Sequence, residues 1–213
     1  MMGVKEQYYE ITAAKLIENF KKRQIDAFYC ASVQEAREMA LEFVKPGMTA
    51  SFGGSMTVEE CGVLDALSER RDITFLDRRA AKDPEDYNDI LHRAFSSDVY
   101  FMSSNAITLD GILVNIDGLG GRVGCLVYGP KTVVVIAGMN KVCTDVDAAY
   151  KRIKSSACPP NAIRLNRKTP CGATGRCSDC LSPDCMCSYT VITRRSMVPG
   201  RIKVILVGEE LGF

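Results

Sequence analysis

The 213-residue chain is 46% hydrophobic and 25% charged, with 27 basic against 26 acidic residues and a formal net charge of +1. This size and apolar content suit one domain with a sizeable core, and the even charge balance gives no sign of the basic face that a sequence-independent grip on nucleic acid needs. Acids scattered through MMGVKEQYYEITAAKLIENF argue against a secretory leader, and the longest apolar runs are strand-sized, too short to cross a membrane.

Apolar positions at Ile11, Ala14, Ile17 and Phe20 predict a helix over 7–23. A short apolar run covers 27–31. Ser32 with Glu35 forms a capping box, and the helix it starts runs to about Val44, where Pro46-Gly47 breaks it. Residues 48–52 read as a strand followed by the turn Gly53-Gly54-Ser55. Thr57 with Glu60 predicts a helix over 58–70, and 73–76 a strand. An Asp83 cap with Pro84 at the first helical position opens a helix over 84–95, and 99–102 is again a strand. From 107 to 137 the pattern becomes β-rich. Runs at 112–116, 122–127 and 132–137 are divided by Asp117-Gly-Leu-Gly-Gly and Tyr128-Gly-Pro, which predicts hairpins or a meander. Thr144 with Asp147 starts a helix to about Lys154, ended by Pro159-Pro160. Residues 166–190 are rich in turns and cysteine, and 202–207 is a buried strand. The sum is an α/β fold: a mixed, mostly parallel sheet flanked by helices, one domain over 1–213, with a small cysteine-rich insertion at 166–190 before the last strand.

Five of the ten cysteines fall within 17 residues, spaced C-x5-C-x2-C-x4-C-x-C: Cys171, Cys177, Cys180, Cys185 and Cys187. A C-x2-C pair lets two thiolates face one metal from a tight turn, and Gly172, Gly175 and Pro183 supply turns. Sulfur ligands without a neighbouring histidine suit an iron–sulfur cluster or a tetrahedral zinc. Iron–sulfur leads, because zinc sites pair C-x2-C with a second similar knuckle and here the second half is irregular. Free or disulfide-forming thiols are the remaining reading, set back by the cytoplasmic setting expected of this chain. Four ligand positions leave one of the five spare. Cys30, Cys61, Cys125, Cys143 and Cys158 are scattered and read as small buried hydrophobes.

Two further groups carry polar chemistry. Gly53, Gly54, Ser55 and Thr57 lie between a strand and a helix, where glycine backbone can approach an anion; a plain βα turn is the competing reading. The loop matches neither G-x-x-x-x-G-K-[ST] nor G-x-G-x-x-G, so it signals no nucleotide or dinucleotide site. Alternation along Leu113–Asp117 puts Asn115 and Asp117 on one face. With Gly118 and Arg122 they read as a ligand pocket in which Arg122 clamps a carboxylate or phosphate, against a polar hairpin end. Asn140 and Lys141 follow an apolar strand, at the end where open sheets bind ligands, with a solvated loop as the alternative. His92 is the one histidine, which disfavours a Ser-His-Asp triad.

SFGGSMT-x-E-E-x-G at 51–62, DGILVNIDGLGGRV at 110–123, YGPKTVVVIAGMNKV at 128–142, PCGATGRCSDC and SPDCMC at 170–187, and RIKVILVGEELGF at the end together resemble the successive motifs of the lactate-utilisation (LUD) family. The resemblance implies the fold shared by ribose-5-phosphate isomerases, glucosamine-6-phosphate deaminases and CoA transferases. It also implies a link to the oxidation of lactate to pyruvate beside iron–sulfur partner proteins. In similar members the late cysteines match Cys171, Cys177, Cys180 and Cys187, and the position of Cys185 is commonly basic, so Cys185 is the candidate spare thiol, with Cys185 for Cys187 as the alternative. No catalytic residue is implied. The expectation is a cytoplasmic accessory or electron-transfer protein of organic-acid oxidation with an iron–sulfur centre and a small-anion pocket, free of nucleic acid and membrane and able to form a homo-oligomer. The competing readings are an isomerase- or transferase-like enzyme with structural zinc, and a non-catalytic redox-sensing scaffold.

Overall fold

The computed structural model describes residues 3–213; the first two positions of the expected 1–213 domain lie outside the described residues. Its centre is a six-stranded sheet ordered β1-β10-β7-β4-β2-β3, formed by β1 (Asp26–Cys30), β2 (Thr49–Phe52), β3 (Thr74–Leu76), β4 (Val99–Met102), β7 (Thr132–Gly138) and β10 (Ile202–Val207). Every pairing in it is parallel. A parallel sheet must be covered on both faces, which is why the runs TVVVIAG and IKVILV are almost unbrokenly apolar. Successive side chains point to opposite faces. Tyr100, Met102, Val133 and Val135 meet Leu16 and Phe20 of helix α1 (Val4–Lys22). Phe101, Val134 and Ile136 meet Ala36 and Ala40 of α2 (Val33–Glu42) together with Val58, Leu64 and Leu67 of α3 (Met56–Glu60) and α4 (Val63–Glu69). Each buried Val, Leu, Ile, Phe or Met among them contributes roughly 1.5–3 kcal/mol.

A second sheet, ordered β8-β5-β6-β9, carries the polar hairpin. Strand β5 (Ala106–Thr108) pairs antiparallel with β6 (Leu113–Asp117) around Gly111, whose φ of +87° suits the turn. Strand β8 (Val142–Cys143) lies beside β5, and β9 (Tyr189–Thr193) runs antiparallel to β6, with Asp117 opposite Tyr189. Helix α7 (Val146–Arg152) and the turns after it cover this sheet through Ala149, Ile153, Ala157 and Cys158. The α/β class and the flanking helices match the expectation.

Five local expectations differ in the structure. The run 122–127 is not a strand but helix α6 (Gly121–Val127), entered through Gly120 at φ +86°. Six apolar-rich residues fit either period, and the helix wins because it buries Val123, Cys125 and Leu126 together while turning Arg122 back toward β6. The helix over 58–70 is split at Gly62, which is left-handed at φ +72°. Ser55, not Thr57, caps its first half by accepting from Val58 N, and Asp145, not Thr144, caps α7. Pro159-Pro160 does not end the α7 path. The chain widens through a π-helical turn (Ile153–Ala157) and continues as α8 (Cys158–Arg164), with proline in the first turn, where a missing N–H costs no bond. Helix α5 (Pro84–Ala94) keeps its Asp83 cap, with Oδ1 accepting from Glu85 N and Asp86 N. The cysteine-rich stretch holds one short helix, α9 (Pro170–Thr174), and ends in β9, a strand the sequence reading missed.

Candidate functional site

The carboxyl ends of β2, β4, β7 and β10 converge on one cavity of about 290 Å³, the place where open parallel sheets present ligand sites. Strand β2 delivers Gly54, Ser55 and Thr57; β4 delivers Ser103–Asn105; the turn after β7 delivers Lys141; the C-terminal tail delivers Phe213. The hairpin tip adds Asp117, Gly118 and Arg122, and α8 closes the far side with Asn161 and Arg164.

Lys141 is 4% exposed. Its Nζ donates to Thr57 Oγ1 at 2.6 Å and to Ser103 Oγ at 3.1 Å. Those hydroxyls donate onward to the carbonyls of Leu211 and Ser104, which fixes them as acceptors for the amine. No carboxylate pairs with Lys141, and an ammonium there keeps a third N–H without an acceptor among the described residues. Burial, then the positive fields of Arg152 and Arg122, hold its pKa down to about 7, with Glu60 opposing. The amine therefore titrates near neutrality, and a bound anion would favour its charged form.

Arg122 is a different kind of cation. Its side chain is 12% exposed, with Nε 3.2 Å from Asp117 Oδ2. Nη1 donates to Ser103 O and Asn115 Oδ1, and Nη2 to Asn105 Oδ1 and Ile116 O. All five N–H donors are engaged within the protein. Arg122 ties the hairpin to the end of β4 and reaches the cavity with the flank of its side chain. Burial lowers its pKa, opposed by Asp117. Gly53 makes this packing feasible: a Cβ there would lie 2.8 Å from both Arg122 Cγ and the Tyr100 hydroxyl. Asn115 sits behind the wall. Its Oδ1 accepts from Arg122 and from Asn105 N, and its buried Nδ2 is unpartnered. Asn140 holds the C-terminal tail, with Oδ1 accepting from Leu211 N at 3.2 Å. Gly53, Asn115 and Asn140 thus support the cavity without lining it. The sequence reading missed Arg78. This half-buried side chain lines the cavity, stacks over Phe52 and Tyr87, and makes no hydrogen bond or ion pair of its own among the described residues.

The five clustered cysteines all line a second cavity, of about 210 Å³, with Thr169, Lys154 and Asp179. Among the described residues no three histidine, cysteine, aspartate or glutamate side chains are gathered as a ready metal site. The donor chemistry fits a thiolate-held metal: every cysteine of the motif faces one space, and the single histidine lies far along the chain in α5. A sixth sulfur, Cys158, lies outside the cavity lining but touches one of the five. Cys187 donates to Cys158 at 3.5 Å between Sγ atoms. Accepting that bond lowers the Cys158 pKa, and giving it raises that of Cys187. The sequence predicts Cys158 to be a small buried hydrophobe. It is buried, at 7% exposure, but against the motif. Met186 lines both cavities, packs on Gly118 and accepts from Asn161 Nδ2 through its sulfur.

Fold and site together define an α/β protein with a strand-end cavity around a buried lysine that shares one lining residue, Met186, with a thiol-lined cavity. The LUD domain family model matches residues 13–207, so the chain belongs to the LUD domain family. The family points to involvement in lactate utilisation. Among solved structures the chain is similar to a DUF162 family protein from Deinococcus radiodurans, with a TM-score of 0.51 at 10% identity, covering 93% of this chain and 98% of that one; this shows the fold alone. It is also similar to ribose 5-phosphate isomerase A from Methanocaldococcus jannaschii, with a TM-score of 0.34 at 17% identity and 62% of each chain covered, a likeness too weak to argue from. No match was found among curated proteins. Among the described residues, no helix is long and apolar enough to cross a membrane.

Proposed function

We propose that the chain is a cytoplasmic component of organic-acid oxidation, with L-lactate to pyruvate as the reaction it serves. In this reading the pocket around Lys141 takes the small anionic metabolite, and the cysteine cavity holds an iron–sulfur centre. The observation that carries it is the shared wall: Met186 alone belongs to both cavities, so an anion at Lys141 and a centre among the cysteines would be neighbours. Cys171, Cys177, Cys180 and Cys187 are the ligands proposed from the motif, and the centre, when bound, would supply one-electron transfer. The chain's own contribution is to hold an ammonium at Lys141 Nζ, fixed by Thr57 and Ser103, against the carboxylate. Phe213 and the tail it ends line the same cavity. Anaerobic reconstitution with iron and sulfide should give a stoichiometric cluster, and loss of the protein should slow lactate oxidation in cells. Absence of any cluster together with undisturbed lactate oxidation would overturn the reading.

One feature favours a second reading, an isomerase- or transferase-like enzyme with structural zinc. Arg78 and Arg164 add two further cations, without an acidic partner among the described residues, to the same pocket, more positive charge than a monocarboxylate requires. Thermal stabilisation by a sugar phosphate or CoA ester, combined with stoichiometric zinc and no sulfide, would select it.

A further inference from the structure

The thiol contact between Cys158 and Cys187 joins two separate parts of the chain. Cys158 opens helix α8 and is 7% exposed, packed with Ala106, Val114 and Ala157 under the second sheet. Cys187 lies 29 positions later, at the end of the cysteine-rich stretch and just before β9. Their Sγ atoms are 3.5 Å apart. That distance is far from the 2.03–2.05 Å of a disulfide. Two thiolates bound at about 2.3 Å to one tetrahedral metal stand about 3.8 Å apart, so the pair needs to open by only a few tenths of an ångström. Both sulfurs are held by rigid neighbours: Cys158 by the proline-started helix, Cys187 by the onset of the strand paired with β6. Cys177 and Cys180 flank the exposed Asp179, which lies at φ +53° and pairs with Lys154.

We propose that Cys158 is a metal ligand, and that Cys158 and Cys187 bind the same metal atom as a preformed pair. This rests on the metal-centre reading above and sharpens it. A cubane gives each cysteine its own iron, whereas a tetrahedral zinc or a [2Fe–2S] centre places two thiolates on one metal atom. The pair therefore fits the latter two. It also settles the choice between the late cysteines in favour of Cys187, because Cys187 is the one that meets the fixed thiol.

The test is metal loading of the full chain, read as metal and acid-labile sulfide content. Zn(II) binding or a [2Fe–2S] stoichiometry is expected in the wild type, with Cys158→Ser and Cys187→Ser each weakening metal affinity at least about tenfold. A [4Fe–4S] stoichiometry, or a Cys158→Ser protein that binds as the wild type does while Cys187→Ser fails, overturns the pair and leaves the centre standing. A wild type that binds no metal under either condition overturns the centre itself, and the pair with it. Because Cys158→Ser introduces a hydroxyl into a buried site, the wild type supplies a second measure. Diamide takes two electrons and two protons from two thiols to form a disulfide, itself becoming the hydrazine. In the apo protein it should yield a Cys158–Cys187 crosslink by peptide mapping, and prior metal loading should block it. Equal crosslinking with and without metal overturns the proposal.

Discussion

In β4, β7 and β10 almost every residue is buried, whereas between positions 166 and 188 only Thr169 and Cys171 are. The sheet is held by apolar area shared across two faces, an interaction that needs no ligand and no precise partner. The cysteine stretch is held by a few polar contacts. Arg167 meets Asp184 at 3.0 Å, Lys168 N donates to the same carboxylate, and Lys154 pairs with the exposed Asp179. Exposed ion pairs of this kind contribute little to stability because solvent screens them. One region specifies itself through packing, while the other rests on exposed polar contacts and a few thiol hydrogen bonds. A metal bound there, as proposed, would add order to that stretch.

Three experiments break or sharpen this contrast. Phe101→Ala removes a ring that is 0% exposed between the sheet and its helices, and should cost about 3–5 kcal/mol in urea unfolding. A loss below about 1 kcal/mol would mean the sheet core is loosely packed. Lys141→Met acts at the boundary between the regions. With the wild type, lactate affinity by calorimetry should fall as pH rises through about 7, because the amine loses its proton there. The variant should bind about tenfold more weakly at pH 6, and without that pH dependence. The same group has a stability signature. Its folded pKa lies below the unfolded value, so between about pH 7 and 10 the unfolded chain binds the extra proton and stability rises with pH. Lys141→Met should flatten that rise. Cys177→Ser is the smallest in global terms. It should abolish metal binding yet shift the main unfolding transition by under about 0.5 kcal/mol, with faster amide exchange confined to the stretch around it. A collapse of the whole transition would show that the metal holds the core as well.

The sequence exposed the βα alternation because each element carries its own period and its own punctuation. The Ser32 and Asp83 caps and the run IKVILV are local signals that tertiary contacts did not override. Residues 122–127 misled because a short apolar run carries no period. Arg122 was legible as a polar residue near a hairpin tip. Its task, five donors turned inward, depends on carbonyls and amides that only folding brings to it. Arg78 gave no motif at all; what marks it is the lack of a partner once its neighbours are in place.

By itself the sequence determined the layered α/β scaffold, the glycine turn after β2 and the presence of a thiol-rich segment, since hydrophobic period, capping residues and cysteine spacing are properties of neighbours in the chain. The tertiary structure alone decided that Lys141 is a buried amine without a carboxylate, that Met186 lines both cavities, and that Cys158 meets Cys187. These depend on contacts between residues far apart in sequence. Such contacts follow from the way strand ends converge and helices close over them, and no local pattern encodes that geometry.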